Sequence, residues 1–252
     1  MRLKTLVAAL GLVASLPSFA TISTNSATGA SEAFLVVYDA HGSYALDLGI
    51  TFNAFLAIPG GTSSLATLSS ANWTSFLSGA DMSTWQYSVI DTNNNFGGNN
   101  ASVLSTINPD DIGNPQGFNS GQINSANGQI NNYQQALNIT GTHVSSANGD
   151  SFNPVGTPAY FLTLHTDTFN GFAYNNSNAV GTSALVEQFQ RGQTSFGLPT
   201  ETALGTALFS QVGSAYQLNY TVAAVPEPGG LGLGLAGVGV LGFIGTRRRT
   251  RG

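Results

Sequence analysis

The sequence predicts an α+β fold: an antiparallel β-sheet or sandwich with about three short helices, plus a single C-terminal transmembrane helix. Three observations carry this prediction. Short β-branched and aromatic runs are separated by turn residues. Three segments space their apolar residues as an amphipathic helix does. An 18-residue stretch near the C-terminus carries no charge.

Turn residues divide the predicted strands into hairpins. The first hairpin has a short loop that contains Gly42, and the last has the two-residue loop Gly213-Ser214, which suits a type II′ turn. Strands are predicted at residues 33–39, 43–48, 85–90, 160–165, 205–212 and 215–223. The last of them would lead the chain towards the membrane.

Helices are predicted at residues 63–77, 119–138 and 183–191. The second has the clearest pattern, because its apolar residues recur at alternating spacings of three and four and form one stripe. That stripe consists of Ile123, Ala126, Ile130, Tyr133 and Leu137. The third would begin at Ser183 and end before Gly192.

The charge of the chain excludes some classes of function. Only 8% of its residues are charged, and it has no cysteine. Residues 21–225 contain one basic residue, Arg191, against eleven acidic ones, a formal balance of −10. A surface of this sign repels phosphate backbones, so we expect no nucleic-acid partner. Disulfides, cysteine-ligated zinc and thiol catalysis are excluded.

The first 20 residues have the three parts of a secretory signal peptide. Arg2 and Lys4 form a basic start, and residues 6–16 are an apolar segment too short to span a bilayer. Ser18 and Ala20 then place small residues where a signal peptidase reads the chain. The sequence therefore predicts cleavage after Ala20 and an exported body, residues 21–224.

The C-terminal segment, residues 225–252, has the pattern of a membrane helix with a basic stop. Residues 229–246 would form a helix about 27 Å long, close to the ~30 Å hydrocarbon core. Four arginines follow: Arg247, Arg248, Arg249 and Arg251. Arginine clusters stay cytoplasmic, so the body is expected outside the inner membrane.

A proline-rich motif lies directly before this helix. It reads Val225-Pro226-Glu227-Pro228, and its two prolines keep the chain extended around one carboxylate. With the glycine-rich apolar span and the arginine tail, residues 225–251 resemble a PEP-CTERM sorting signal. The resemblance implies a bacterial export recognised by exosortase, a membrane cysteine enzyme. It also implies processing near the motif and transfer to the cell surface or an extracellular polysaccharide matrix.

The body lacks a local catalytic or metal signature, so the sequence predicts no cofactor and no metal site. The three histidines, His41, His143 and His165, show no zinc-ligand spacing. Asp91, Asn93 and Asn95 have the spacing of the first calcium ligands of an EF-hand. The glycine and the final glutamate of that loop are missing, which favours a turn.

Three functions remain open at this point. The first is a non-enzymatic surface or matrix protein whose partners are signal peptidase, exosortase, the membrane and extracellular polysaccharide. The second is a secreted carbohydrate-active hydrolase or a glycan-binding protein. The third is a permanent single-span membrane protein. A cleft with two facing carboxylates beside Trp73 or Trp85 would favour the hydrolase, because glycosidases use such a pair.

Overall fold

The computed structural model describes residues 21–24, 29–93, 101–112, 119–146, 148–164 and 174–223. Its strands are β1 (Glu32–Tyr38), β2 (Gly42–Thr51), β3 (Thr62–Leu68), β4 (Gln86–Asn93), β5 (Ser102–Ile107), β6 (Asp150–Pro154), β7 (Asn178–Ala179), β8 (Ser183–Gln190), β9 (Thr200–Val212) and β10 (Ala215–Val222). Its helices are α1 (Phe52–Leu56), α2 (Ala71–Leu77), α3 (Ser120–Leu137) and α4 (Phe161–Leu164).

The strands form one antiparallel sheet, which confirms the predicted sheet type. The order is β3-β10-β9-β8-β5-β4-β1-β2-β6, and the short β7 pairs with β4. Both predicted hairpins are present, β1 with β2 and β9 with β10. Gly213 has φ +63°, the left-handed value that the first central residue of a type II′ turn requires.

The sheet curls, so that strands from opposite ends of it contact the same side chain. The ring of Trp73, on α2, lies 5.0 Å from that of Tyr44 on β2 and 5.3 Å from that of Tyr216 on β10. Yet β2 and β10 lie near opposite edges of the sheet: β2 is next to edge strand β6, and β10 is next to edge strand β3. We call this concave side the inner face; α1 and α2 cover it.

The other side of the sheet, the outer face, packs against α3. Side chains of β1 alternate between the two faces: Leu35 belongs to the inner core, whereas Phe34 belongs to the outer one. Both are fully buried, which explains why β1 is an unbroken apolar run after Glu32. On α3, Tyr133 lies 5.7 Å from Phe34, measured between ring centroids.

Helix α3 confirms the prediction for residues 119–138. Asn119 caps its start: its side chain accepts hydrogen bonds from the backbone of Gly121 and Gln122, and the Gln122 side chain accepts one from the Asn119 backbone. This is the reciprocal capping box. The whole predicted apolar stripe is buried against the sheet.

The helix predicted at residues 63–77 is half wrong. Its first part is strand β3, which pairs with β10, and only its second part is helix α2. Ser70 divides the two, because its side chain accepts a hydrogen bond from the backbone N–H of Trp73 and so caps α2. Leu65 and Leu68 had the spacing of a helix but lie on the strand.

Two further predictions are wrong. Residues 183–190 form β8, not a helix, because hydrogen bonds to β5 and β9 on both sides satisfy its backbone. In the predicted strand at 160–165, Phe161–Leu164 is the helical turn α4. The Phe161 backbone N–H donates to the Ser43 hydroxyl at 3.1 Å. His165 lies outside the described residues.

The predicted C-terminal transmembrane helix also lies outside the described residues. Among the residues that the structure does describe, no helix combines the length and apolarity needed to cross a bilayer.

Candidate functional site

The sorting residues predicted from the sequence lie outside the described part of the chain. They are Ala20, Val225, Pro226, Glu227, Pro228, Arg247, Arg248, Arg249 and Arg251. Within the described body, two clefts bring polar side chains together, one at the closing seam of the sheet and one on strands β8 and β9.

The first cleft, which we call the seam cleft, lies where the two edges of the curled sheet approach each other. It has a volume of about 370 Å³. Its lining residues are Tyr44, Leu46, Thr67, Leu68, Ser69, Ser70, Thr142, Ser146, Asn148 and Asp150. Edge strand β3 and the start of α2 supply one wall, and β2, β6 and the turn before β6 supply the other.

Asp150, the first residue of β6, links these walls. One carboxylate oxygen accepts hydrogen bonds from Asn72 Nδ2 and Thr142 Oγ1, both at 2.8 Å. The other accepts from Tyr44 Oη at 2.9 Å and from Ser70 Oγ. Since Ser70 and Asn72 follow β3 in the chain, Asp150 fastens one edge of the sheet to the other.

The hydrogen bonds of Asp150 also set its charge. Burial by itself raises the pKa of a carboxyl group, but the four donors stabilise the ionised form and outweigh it. The pKa of Asp150 is therefore below its usual range. Asp150 is 5% exposed and stays ionised at neutral pH, so the seam cleft contains a fixed negative charge.

The second cleft, the acidic cleft, has a volume of about 470 Å³. Its lining residues are Ile107, Ile112, Tyr174, Leu185, Glu187, Leu198 and Glu201. Glu187 pairs with Ala203 across β8 and β9, and Glu201 lies two positions before Ala203 on β9. The two glutamates are thus diagonal neighbours.

Their environments differ. Tyr174 Oη donates to Glu201 Oε1 at 2.5 Å. Half-buried Glu187 has a raised pKa, first because it is desolvated and second because the charge of Glu201 disfavours its ionisation. The acidic cleft therefore has the two carboxylates of the hydrolase hypothesis, but its walls are aliphatic apart from Tyr174.

The two tryptophans do not lie beside these carboxylates as aromatic platforms. Trp73 and Trp85 are 3% and 2% exposed, and their ring centroids are 5.7 Å apart in the inner core. Phe76 contacts both of them. The indole rings are packed among other aromatic residues and have no free face for a sugar. The structure therefore has the pair of carboxylates expected for the hydrolase, but not the tryptophan beside them.

The two histidines in the described part of the chain, His41 and His143, lie in different environments. His41 is exposed in the β1–β2 turn, where its Nδ1 lies 3.6 Å from Asp39 Oδ2. His143 is fully buried, and burial lowers its pKa to about 4, so it is neutral at pH 7. Among the described residues, no group of three or more histidine or acidic side chains could hold a metal ion.

The calcium-like spacing at Asp91 falls on a strand. Asp91 is fully buried on β4, and its Oδ1 accepts from the Thr92 backbone at 2.7 Å. Burial raises its pKa well above the usual value. Asn93 ends the same strand, and Asn95 lies outside the described residues. Residues 91–93 are therefore the end of strand β4, and the turn that the sequence favoured there is wrong for these residues.

Sequence reasoning missed the seam cleft. Ser70 had a readable signal, because a serine before a helical segment is a common N-cap. Nothing in the sequence connects it with Asp150, 80 residues away. The contact requires the whole sheet to curl, which no local pattern encodes.

Comparison with family models, with curated proteins and with solved structures found no match to this chain.

Proposed function

We propose that the protein is an exported bacterial surface or extracellular-matrix protein with a non-enzymatic body. Signal peptidase would remove residues 1–20, and a C-terminal exosortase signal at 225–252 would direct sorting. The body would be held at the outer side of the inner membrane only until processing transfers it to the cell surface or matrix.

The observation that carries this proposal is that the sheet ends just before the proline motif. The last strand, β10, pairs with β9 on one side and β3 on the other. The Ala223 backbone N–H still bonds to the Leu204 carbonyl at 2.8 Å, and the proline motif begins only two residues later, at Val225. Cleavage at residues 225–228 would remove no strand of the described sheet.

Two acidic side chains of the body, Asp39 and Asp150, support a structural rather than a catalytic use. Asp39 accepts hydrogen bonds from the backbones of His41, Gly42 and Asp81 and so holds the β1–β2 turn. Asp150 fastens the sheet edges. These carboxylates are occupied by internal donors, as structural carboxylates are.

Deletion of residues 226–252 tests the proposal. Without the tail, the signal peptide still exports the body, but exosortase has nothing to recognise. We expect the protein to leave the cell-surface fraction and to accumulate in the periplasm or the medium. Immunoblots of cytoplasmic, membrane, surface and medium fractions measure this change.

The matched control is full-length protein with Ser75→Ala, a substitution at an exposed position of α2. It should distribute like the parent. If the deleted protein and the parent show the same distribution, the tail does not direct sorting and the proposal fails.

A further inference from the structure

We propose that the seam cleft is a binding site for a neutral sugar residue. This inference supplies a ligand for the body of the proposed surface protein, and its biological setting rests on that proposed function. The binding itself rests on the chemistry of the cleft walls, which can be tested separately from sorting.

The first argument is the direction of the hydroxyl protons. Tyr44, Ser70 and Thr142 each donate their hydroxyl hydrogen to Asp150. A hydroxyl group has one hydrogen and two lone pairs, so half-buried Ser70 and exposed Thr142 can offer a ligand only acceptors, whereas Tyr44, at 1% exposed, is closed to a ligand. Asp150 therefore fixes a preorganised set of acceptor oxygens on the cleft wall.

The second argument counts the acceptor capacity that remains. Ser70 Oγ already accepts from the Trp73 backbone at 3.0 Å, and Thr142 Oγ1 accepts from the Asp150 backbone at 2.8 Å. Each of these two oxygens keeps one lone pair. A matching ligand must therefore present two donors at short spacing, which is the chemistry of the adjacent hydroxyl groups of a sugar ring.

The third argument concerns size and the remaining lining. About 370 Å³ lies within the ~300–1,000 Å³ range of small-molecule sites. Half-buried Leu46 provides apolar surface for the C–H face of a ring, and exposed Ser69, Ser146 and Asn148 add polar groups at the rim. This mixture suits a ligand that is amphipathic but uncharged.

The fourth argument concerns charge. Asp150 is ionised, and residues 21–225 have a formal balance of −10. Sugars that carry carboxylates or sulfates would be repelled by both. We therefore assign the seam cleft to neutral residues and expect it to discriminate against uronic acids.

The test is binding of the full chain, purified in detergent, to immobilised hexasaccharides of glucose (β-1,3 and β-1,4), mannose and N-acetylglucosamine, with an oligouronate as the acidic probe. We expect at least one neutral probe to be retained and the oligouronate to be released. Titration calorimetry on the retained probe then gives the Kd.

Ser69→Trp places an indole ring in the cleft and should weaken binding at least tenfold. Ser75→Trp, exposed on α2 outside the cleft, is the matched control and should bind like the parent. If Ser69→Trp does not fold, Ser146→Trp blocks the cleft from the opposite wall and decides the question.

Failure to retain any neutral probe would overturn the assignment, as would equal retention of the oligouronate or unchanged binding by a folded blocking variant. None of these outcomes affects the deletion experiment, because sorting is read from cell fractions and not from glycan binding. The two proposals can therefore fail independently.

Discussion

Replacing Asp150 by alanine should lower the free energy of unfolding by about 3–5 kcal/mol, since hydrogen bonds to a charged group contribute about 1.5–3 kcal/mol each and are not additive. The substitution removes the common acceptor of Tyr44, Ser70, Asn72 and Thr142. Tyr44, which is 1% exposed, is then left buried without this acceptor. The seam between the two sheet edges should then open first.

Urea unfolding followed by fluorescence of the buried tryptophans measures the loss. Asp110→Ala, at an exposed turn, is the control and should change stability by no more than about 0.5 kcal/mol. Tyr44→Phe removes one of the donors, so the double variant with Asp150→Ala should lose less than the sum of the two single losses. Additive losses in the free energy of unfolding, or an Asp150→Ala protein as stable as the parent, would contradict the conclusion that Asp150 holds the two sheet edges together.

Replacing Asp47 by asparagine should stabilise the protein at neutral pH and leave it unchanged near pH 4. Asp47 is 2% exposed, and its desolvation is the main reason that its pKa rises to about 6. Unfolded aspartate has a pKa of about 3.9. Between these two values the folded protein holds the proton and the unfolded protein does not, so stability falls as the pH rises through this window.

Above pH 6, the parent protein bears the full free-energy cost of burying the ionised Asp47 carboxylate. Asparagine is neutral, and its side-chain oxygen can still accept the hydrogen bond that Gly49 donates to Asp47 Oδ1 at 2.8 Å. We therefore expect a gain of roughly 2–3 kcal/mol at pH 7, from about 1.4 kcal/mol per pKa unit. Thermal and urea unfolding at pH 4, 5, 6 and 7 would show the gain developing with pH.

The comparison is made between variant and parent at each pH because His143 titrates in the opposite direction. Its folded pKa of about 4 lies below the unfolded value, so its contribution to stability rises from pH 4 to about pH 6.5. Asp110→Asn, at an exposed turn, is the matched control substitution and should change stability by no more than about 0.5 kcal/mol. A gain of equal size at pH 4 and pH 7 would show that ionisation of Asp47 is not the cause.

The sequence predicted the elements whose patterns are local. Helix α3 has both an apolar stripe and a capping residue, and Asn119 indeed caps it. The hairpin around Gly213 was readable because only a few residues tolerate its backbone conformation. In these segments the local signals and the packed structure agree.

Strand β8 shows where local reading failed. Ser183 and Gly192 were interpreted as the start and stop of a helix, and the intervening residues had no strong alternation. Pairing with β5 and β9 on both sides overrode that weak preference, and a bulge after Val186 interrupts the regular register. Only the neighbouring strands, distant in sequence, decide such a segment.

The seam cleft was beyond sequence reasoning for the same reason. Ser70 reaches Asp150 only because the sheet curls until β3 approaches β6, and that curl depends on the inner core around Trp73. The acidic residues were visible in the sequence, but which of them would share a cleft was not.

The measurement that tests the account most directly is intact mass spectrometry of the protein recovered from the surface fraction of the exporting cells. We predict a chain that begins at Thr21 and ends within residues 225–228. A surface species that still contains residues 229–252 would show that the tail is kept as an anchor, and it would contradict the proposal that exosortase removes it.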